Sequence, residues 1–235
     1  MSMTDSALAL GVAARTVLIA GATSASGHAC AAALSAAGAR VIAVGSNPER
    51  LAALADAIPG VITRVCDLSD FTAVSALAEE IRVTAAKHGH AGIDGLIHLV
   101  GGWRGGGGLA GQSDEDWQVL ESAFGTLRNT TRAFNDQLLA SDAGRLAIVS
   151  SVSVDRPLAG GANYAAAKAA ADAWTRAVAQ GFAKAAAPAE PDAAAVIFVV
   201  KALAGLEQEL ASGVVALWQQ SAGTLNGSHI RLGDA

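Results

Sequence analysis

Charge is scarce in this chain. Only 16% of its 235 residues are charged, and 16 basic against 21 acidic residues leave a net charge of -5. Without a basic excess there is no field to draw in nucleic acid or anionic lipid, so neither partner is expected. Cysteine is nearly missing. Cys30 and Cys66 fall in a helix-like and a strand-like stretch, which excludes a disulfide framework. The start of the chain lacks the basic segment, apolar core and cleavage site of a secretory leader, and with the cysteine usage this points to the cytoplasm. Apolar runs are too short to cross a bilayer. Proline is limited to five residues and no charged or Pro-rich linker divides the chain, so residues 1–235 read as one domain. Aromatics make up 4%, with a single tyrosine, Tyr164.

What is abundant is small and apolar. Hydrophobic residues reach 52%, as suits a parallel sheet buried on both faces. Short β-branched runs alternate with Ala-rich helical stretches along the chain. Strands are expected over 15–20, 41–44, 61–66, 95–100, 146–150, 195–200 and 229–232. Helices are expected over 26–37, 48–57, 70–88, 114–140, 162–184 and 205–220, with a loop at 187–192. That order builds parallel crossovers, an α/β architecture.

Two motifs carry chemistry. The first is Ala20-Gly21-Ala22-Thr23-Ser24-Ala25-Ser26-Gly27, which follows the first strand and opens a helix. Gly21 permits a tight turn, Thr23, Ser24 and Ser26 offer hydroxyl and backbone donors, and Gly27 lets helix and strand pack closely beneath a diphosphate at the helix start. Ala25 stands at the middle position, where its methyl crowds the diphosphate or asks alanine for a glycine conformation. The second motif is Tyr164-Ala-Ala-Ala-Lys168, with Ser151 thirteen residues upstream at a strand end. Four-residue spacing places Tyr164 and Lys168 on one helix face, so that an ammonium lies beside a phenol and lowers its pKa. Hydride transfer on a nicotinamide is the chemistry to which the two motifs together point.

The order of these motifs resembles the short-chain dehydrogenase/reductase family over nearly the whole chain. The family's TGxxxGxG turn corresponds to residues 20–27, its Asp after the third strand to Asp67, its NNAG to His98-Leu99-Val100-Gly101, its serine to Ser151 and its YxxxK to Tyr164 and Lys168. The resemblance implies a Rossmann-type, doubly wound parallel sheet of seven strands with helices on both faces. It also implies bound NAD or NADP, a small-molecule carbonyl or alcohol substrate, and a homo-oligomer, dimer or tetramer, built partly from the helices at 114–140 and 162–184. Tyr164 would donate a proton to a substrate carbonyl oxygen, Lys168 would support it, and Ser151 would hold the same oxygen. Cofactor contacts are then expected from Gly21, Thr23, Ser24, Ala25, Ser26, Gly27, Val100, Gly101, Tyr164 and Lys168, with Asp67 and Leu68 against adenine. The second strand ends Gly45-Ser46-Asn47, with no carboxylate to bind a ribose diol. Ser46, Asn47 and, one turn along, Arg50 could donate to a 2′-phosphate, which favours NADP slightly.

The chain also departs from the family pattern. The family's Asn on the central helix, which holds a water chain leading from the lysine, aligns near Ala123. Asn129 lies six residues on, a rotation of about 600°, and so leaves that face by about 120°; Ser122 and Thr126 are the alternatives. The Pro-Gly usual after the sixth strand is absent, so the pocket is expected to be wide or closed by another segment. A candidate is the run from Gly101 to Gly108, with six glycines in eight residues, expected to be mobile. Its Trp103 could stack on a planar substrate and its Arg104 pair with an anionic substituent, or Trp103 could plug the core and Arg104 face solvent. That run also resembles dihydropteridine reductases of the same superfamily. Three readings stay open: a carbonyl/alcohol oxidoreductase, a dihydropteridine-reductase-like enzyme acting on a flat heterocycle, and a non-catalytic NAD(P)-binding sensor or scaffold. The histidines do not cluster, so no metal site is expected.

Overall fold

The computed structural model describes residues 11–234; the expectation about a leader falls on residues 1–10, outside the described residues. Seven strands form one sheet: β1 (Thr16–Ala20), β2 (Arg40–Gly45), β3 (Ile62–Val65), β4 (Gly95–His98), β5 (Arg145–Ser151), β6 (Ala194–Val200) and β7 (His229–Arg231). All pair in parallel, in the order β3-β2-β1-β4-β5-β6-β7. β1 and β6 are buried along their whole length, which is why they read as unbroken apolar runs rather than as alternating ones.

Helices cover both faces. On one lie α1 (Ala25–Ala36), α2 (Pro48–Ala57) and α6 (Glu207–Ala216), packed on Val17, Ile19, Val196 and Phe198; on the other lie α3 (Phe71–Ala86), α4 (Asp114–Ala140) and α5 (Ala162–Ala186), packed on Leu18, Leu96, Leu146 and Ile197. Successive strand residues point to opposite faces, so the two sets alternate along each strand. The architecture is the doubly wound Rossmann-type sheet expected from the sequence. Among the described residues no helix is long and apolar enough to cross a membrane.

Most elements end within two residues of expectation, and two of the differences are informative. β4 stops at His98 rather than running to Val100: the Leu99 N–H still donates to Ala20 O, but the neighbouring β1 has by then turned into the glycine segment and offers no further partner. The helix expected over 205–220 ends at Ala216 and gives way to a 3₁₀ turn, Leu217–Gln219, followed by α7 (Ala222–Leu225). Arg145 holds the segment after the break: its buried guanidinium donates to the carbonyls of Gly144, Asp192, Leu217 and Gln220. Trp218 is thereby turned inward, where a Cβ on Gly95 would stand 2.7 Å from the indole.

Candidate active site

The strand order reverses its direction of winding between β1 and β4, and their carboxyl ends open a crevice there. Gly21 ends β1 with φ +80°, and a Cβ on it would lie 3.0 Å from Leu99 C and Val100 N. Only glycine lets the two strand ends approach so closely. Gly27 is required for another contact: a Cβ there would lie 2.3 Å from Ala22 O, so the helix rests directly on the turn. Ser24 is the N-cap of α1; its hydroxyl accepts from Gly27 N at 3.0 Å and donates to Gly21 O at 3.1 Å. Ala25 occupies the first helical position and, unlike Ala14, does not have a positive φ; its place asks for no glycine conformation. Among the described residues the N–H groups of Ala25 and Ser26 find no backbone acceptor, and orphan donors at a helix start are an anion site in waiting.

A cleft of about 380 Å³ runs from this turn across the sheet edge. Ser24 and Ser26 line one end; Val100, Gly101 and Trp103 line the wall after β4; Tyr164 and Lys168 line the other end. Two polar residues given no role from the sequence also reach it, Ser153 and Lys201. Among the described residues the lining carries two lysines and no carboxylate, although the chain as a whole is acidic. A dinucleotide fits this arrangement: orphan donors and local positive charge meet a diphosphate, and the glycine approach leaves room for it.

Tyr164 and Lys168 sit one turn apart on α5, with Lys168 Nζ 5.8 Å from the centre of the phenol ring. Burial pushes the Tyr164 phenol up, and the Ser151 hydroxyl offsets this in part. The expectation that Lys168 lowers the phenol pKa is therefore not met in this structure. The ammonium instead donates to Val149 O at 2.7 Å, and burial lowers its own pKa to about 8. Ser151 ends β5 and is 3% exposed. Its hydroxyl accepts from Ser153 N at 3.1 Å and donates to Ser153 Oγ at 3.2 Å; Ser153 lines the cleft and Ser151 does not. Ser153 lies two residues beyond Ser151, and nothing else in the sequence marks it for this place.

Ala123 lines a second cavity of about 40 Å³ together with His98, Val149 and Lys168. Asn129 points elsewhere: its amide donates to Leu68 O and Ser69 O, fixing the segment after β3. Thr126 donates to Ala123 O at 2.7 Å and so receives the Nε2 proton of His98 at 3.0 Å. Burial, with Lys168 nearby, lowers the His98 pKa to about 3, and the ring is neutral. Ser122 is exposed. Of the two alternatives to the missing Asn, only Thr126 faces this region.

After β2, Asn47 caps α2 by accepting Arg50 N at 2.9 Å, and Ser46 is exposed beside it. Arg50 reaches back to the glycine turn, with Nη2 2.5 Å from Thr23 O. Asp67 does not cap α3, a role that falls to Asp70; its carboxylate accepts from Ser69 N and Ser69 Oγ, which lowers its pKa, and Leu68 beside it is buried. Neither lines the cleft. Trp103 is 62% exposed at the cleft wall, not plugged into the core. Arg104 is absent from the lining and lies 3.7 Å from Asp116. Among the described residues no group of three or more His, Cys, Asp or Glu is placed to hold a metal ion.

Comparison with known proteins agrees with the geometry. In overall shape the chain is similar to an NADPH-bound short chain oxidoreductase from Pseudomonas aeruginosa PAO1 containing an atypical catalytic center, with TM-score 0.77 and 22% identity over 92% of this chain and 94% of that one. It is similar to a metagenomic short-chain oxidoreductase in complex with NADP, with TM-score 0.76 and 23% identity over 94% of this chain and 98% of that one. A short-chain type dehydrogenase/reductase from Mycobacterium ulcerans gives TM-score 0.80 and 19% identity over 94% and 89% of the two chains. These likenesses show the fold. No curated protein matches the chain in sequence. The profile of the short chain dehydrogenases matches residues 15–186, a stretch that holds the glycine turn, Ser151, Tyr164 and Lys168, and the chain belongs to that family.

Proposed function

We infer that this protein is an NAD(P)-dependent oxidoreductase acting on a carbonyl/alcohol pair, with Tyr164 as the acid. The observation that carries this reading is the convergence of Tyr164 and Lys168 with the glycine turn on one cleft lined by no carboxylate. When bound, the nicotinamide supplies or accepts the hydride at the substrate carbon. Gly21, Ala25, Ser26 and Gly27 hold the diphosphate, and Val100 and Gly101 flank the cofactor along the wall after β4. The Tyr164 phenol, with an ordinary pKa of about 10, holds its proton at neutral pH and can donate it to a carbonyl oxygen; burial raises that pKa further, which the bound positive nicotinamide would oppose. Ser151, through Ser153 or after a small rotation of its hydroxyl, orients that oxygen. Lys168 sets the field around the phenol from its anchor on Val149 O.

NADP is the favoured cofactor, because Arg50 lies across the turn at the adenosine end and no acid follows β2 to repel a 2′-phosphate. A flat heterocycle remains the second substrate reading, supported by the exposed indole of Trp103 at the wall. The cytoplasm and a homo-oligomer complete the proposal. The test is thermal unfolding with NADPH, NADP, NADH, NAD and no ligand, followed by a carbonyl and pterin screen with the cofactor that stabilises. Ligand at a hundred times its Kd adds about 2.7 kcal/mol, which raises the midpoint of a domain this size by about 5–10 °C. No shift with any of the four at millimolar concentration contradicts the reading.

A further inference from the structure

The helix that carries Tyr164 has an incomplete start. Its N-cap residue is Gly161, which provides no side-chain hydrogen bond to the first turn. The missing acceptor comes from far along the chain: Gln112 Oε1 accepts the Asn163 N–H at 3.1 Å across 51 residues of sequence. The same amide has a second occupation. Gln112 Nε2 lies 3.0 Å from Gly106 O, 3.1 Å from Gly108 O and 3.1 Å from Gly160 O, so its two hydrogens are shared among three carbonyls. Asn163 returns the contact by donating from Nδ2 to Ser113 O at 3.1 Å, and Ser113 caps α4.

The glycine-rich loop is thus fastened to the ground beside Tyr164. Gly106 N donates to Gly160 O at 2.7 Å. A Cβ on Gly105, at φ +153°, would lie 2.4 Å from Gly160 O and 3.3 Å from Trp103 Cζ2, so the loop backbone presses on the turn before α5 with the indole beside it. We propose that Gln112 is a positioning residue that with one amide fixes the Trp103 loop over the cleft and holds the first helical turn of Tyr164. The inference rests on the oxidoreductase reading for its kinetic consequence and on geometry alone for the fastening. Substrate that engages Trp103 is thereby linked to the proton donor through the Gln112 side chain beside the Gly106–Gly160 backbone hydrogen bond.

Two substitutions separate the two occupations. Gln112→Glu keeps an oxygen for Asn163 N but removes both donors to the loop carbonyls; Gln112→Ala removes everything. Arg104 supplies a tryptic site inside the loop, so cleavage after Arg104, followed by mass spectrometry of the intact protein, reports loop release without reference to activity. Cleavage is expected on the order of tenfold faster in both variants, because it tracks the population of the open loop. With the best carbonyl substrate, Gln112→Glu raises KM several-fold and keeps kcat within about threefold, whereas Gln112→Ala also lowers kcat; NADPH affinity is unchanged in both. Equal cleavage rates in wild type and Gln112→Glu overturn the proposal, as does faster cleavage with KM and kcat both unmoved. If Gln112→Ala does not fold, the Gln112→Glu comparison decides. If the wild type reduces no carbonyl, the oxidoreductase reading fails while the cleavage arm still decides the fastening.

Discussion

Lys168 is tied to Val149: its ammonium donates a 2.7 Å hydrogen bond to that carbonyl, so the lysine expected to assist Tyr164 is anchored to the same strand that delivers Ser151. Anchoring and burial have a consequence for stability. The Lys168 pKa falls from 10.5 to about 8, so between those values the unfolded chain holds a proton that the folded chain has released. Stability therefore rises with pH through that window.

The Lys168→Met variant removes this slope. Chemical denaturation of wild type and variant across pH 8 to 10.5 is expected to show the wild type gaining stability relative to Lys168→Met as pH rises. Parallel curves would mean that the buried ammonium keeps an ordinary pKa.

Arg50 is expected to read the 2′-phosphate. A charge-assisted hydrogen bond of about 1.5–3 kcal/mol corresponds to a loss of about tenfold or more in affinity. Titration of intrinsic fluorescence should show Arg50→Ala weakening NADPH by at least that factor and NADH by less than about twofold. An equal loss for both cofactors would place Arg50 in the turn alone, through its contact with Thr23 O.

Gly27 is a packing glycine, and its replacement should be felt without ligand. The Cβ of Gly27→Ala would lie 2.3 Å from Ala22 O, a backbone atom that cannot swing away. Overpacking of this kind costs about 2 kcal/mol, and calorimetry should show the midpoint falling by about 4–8 °C. An unchanged midpoint would show that the turn can open by the width of a methyl group.

The glycine turn and the Tyr164/Lys168 pair were legible in the sequence because each is local: a strand, a turn and a helix in succession, and a four-residue helical spacing. The parallel sheet was legible because strands buried on both faces are spelled as unbroken apolar runs, as in β6. What lay outside reach depends on contacts between distant segments. Nothing near Gln112 marks it, since its partners Gly160 and Asn163 lie 48 and 51 residues away. Arg145 falls just outside the strand expected over 146–150, yet it is buried and donates to four carbonyls, of Gly144, Asp192, Leu217 and Gln220, from three segments of the chain. The position of Asn129 was correctly read as off the face of Ala123, but its task, holding Leu68 and Ser69, belongs to tertiary structure. The pKa of Tyr164 was expected to fall and instead rises, because burial is set by the fold.

The most direct test of the central claim is the rate of carbonyl reduction by the Tyr164→Phe variant beside the wild type, with NADPH affinity measured for both. Loss of the positioned acid should lower kcat by about 10²–10⁴-fold while the cofactor Kd stays within about threefold. Full reductase activity in Tyr164→Phe would contradict the account, because the proton would then come from another group.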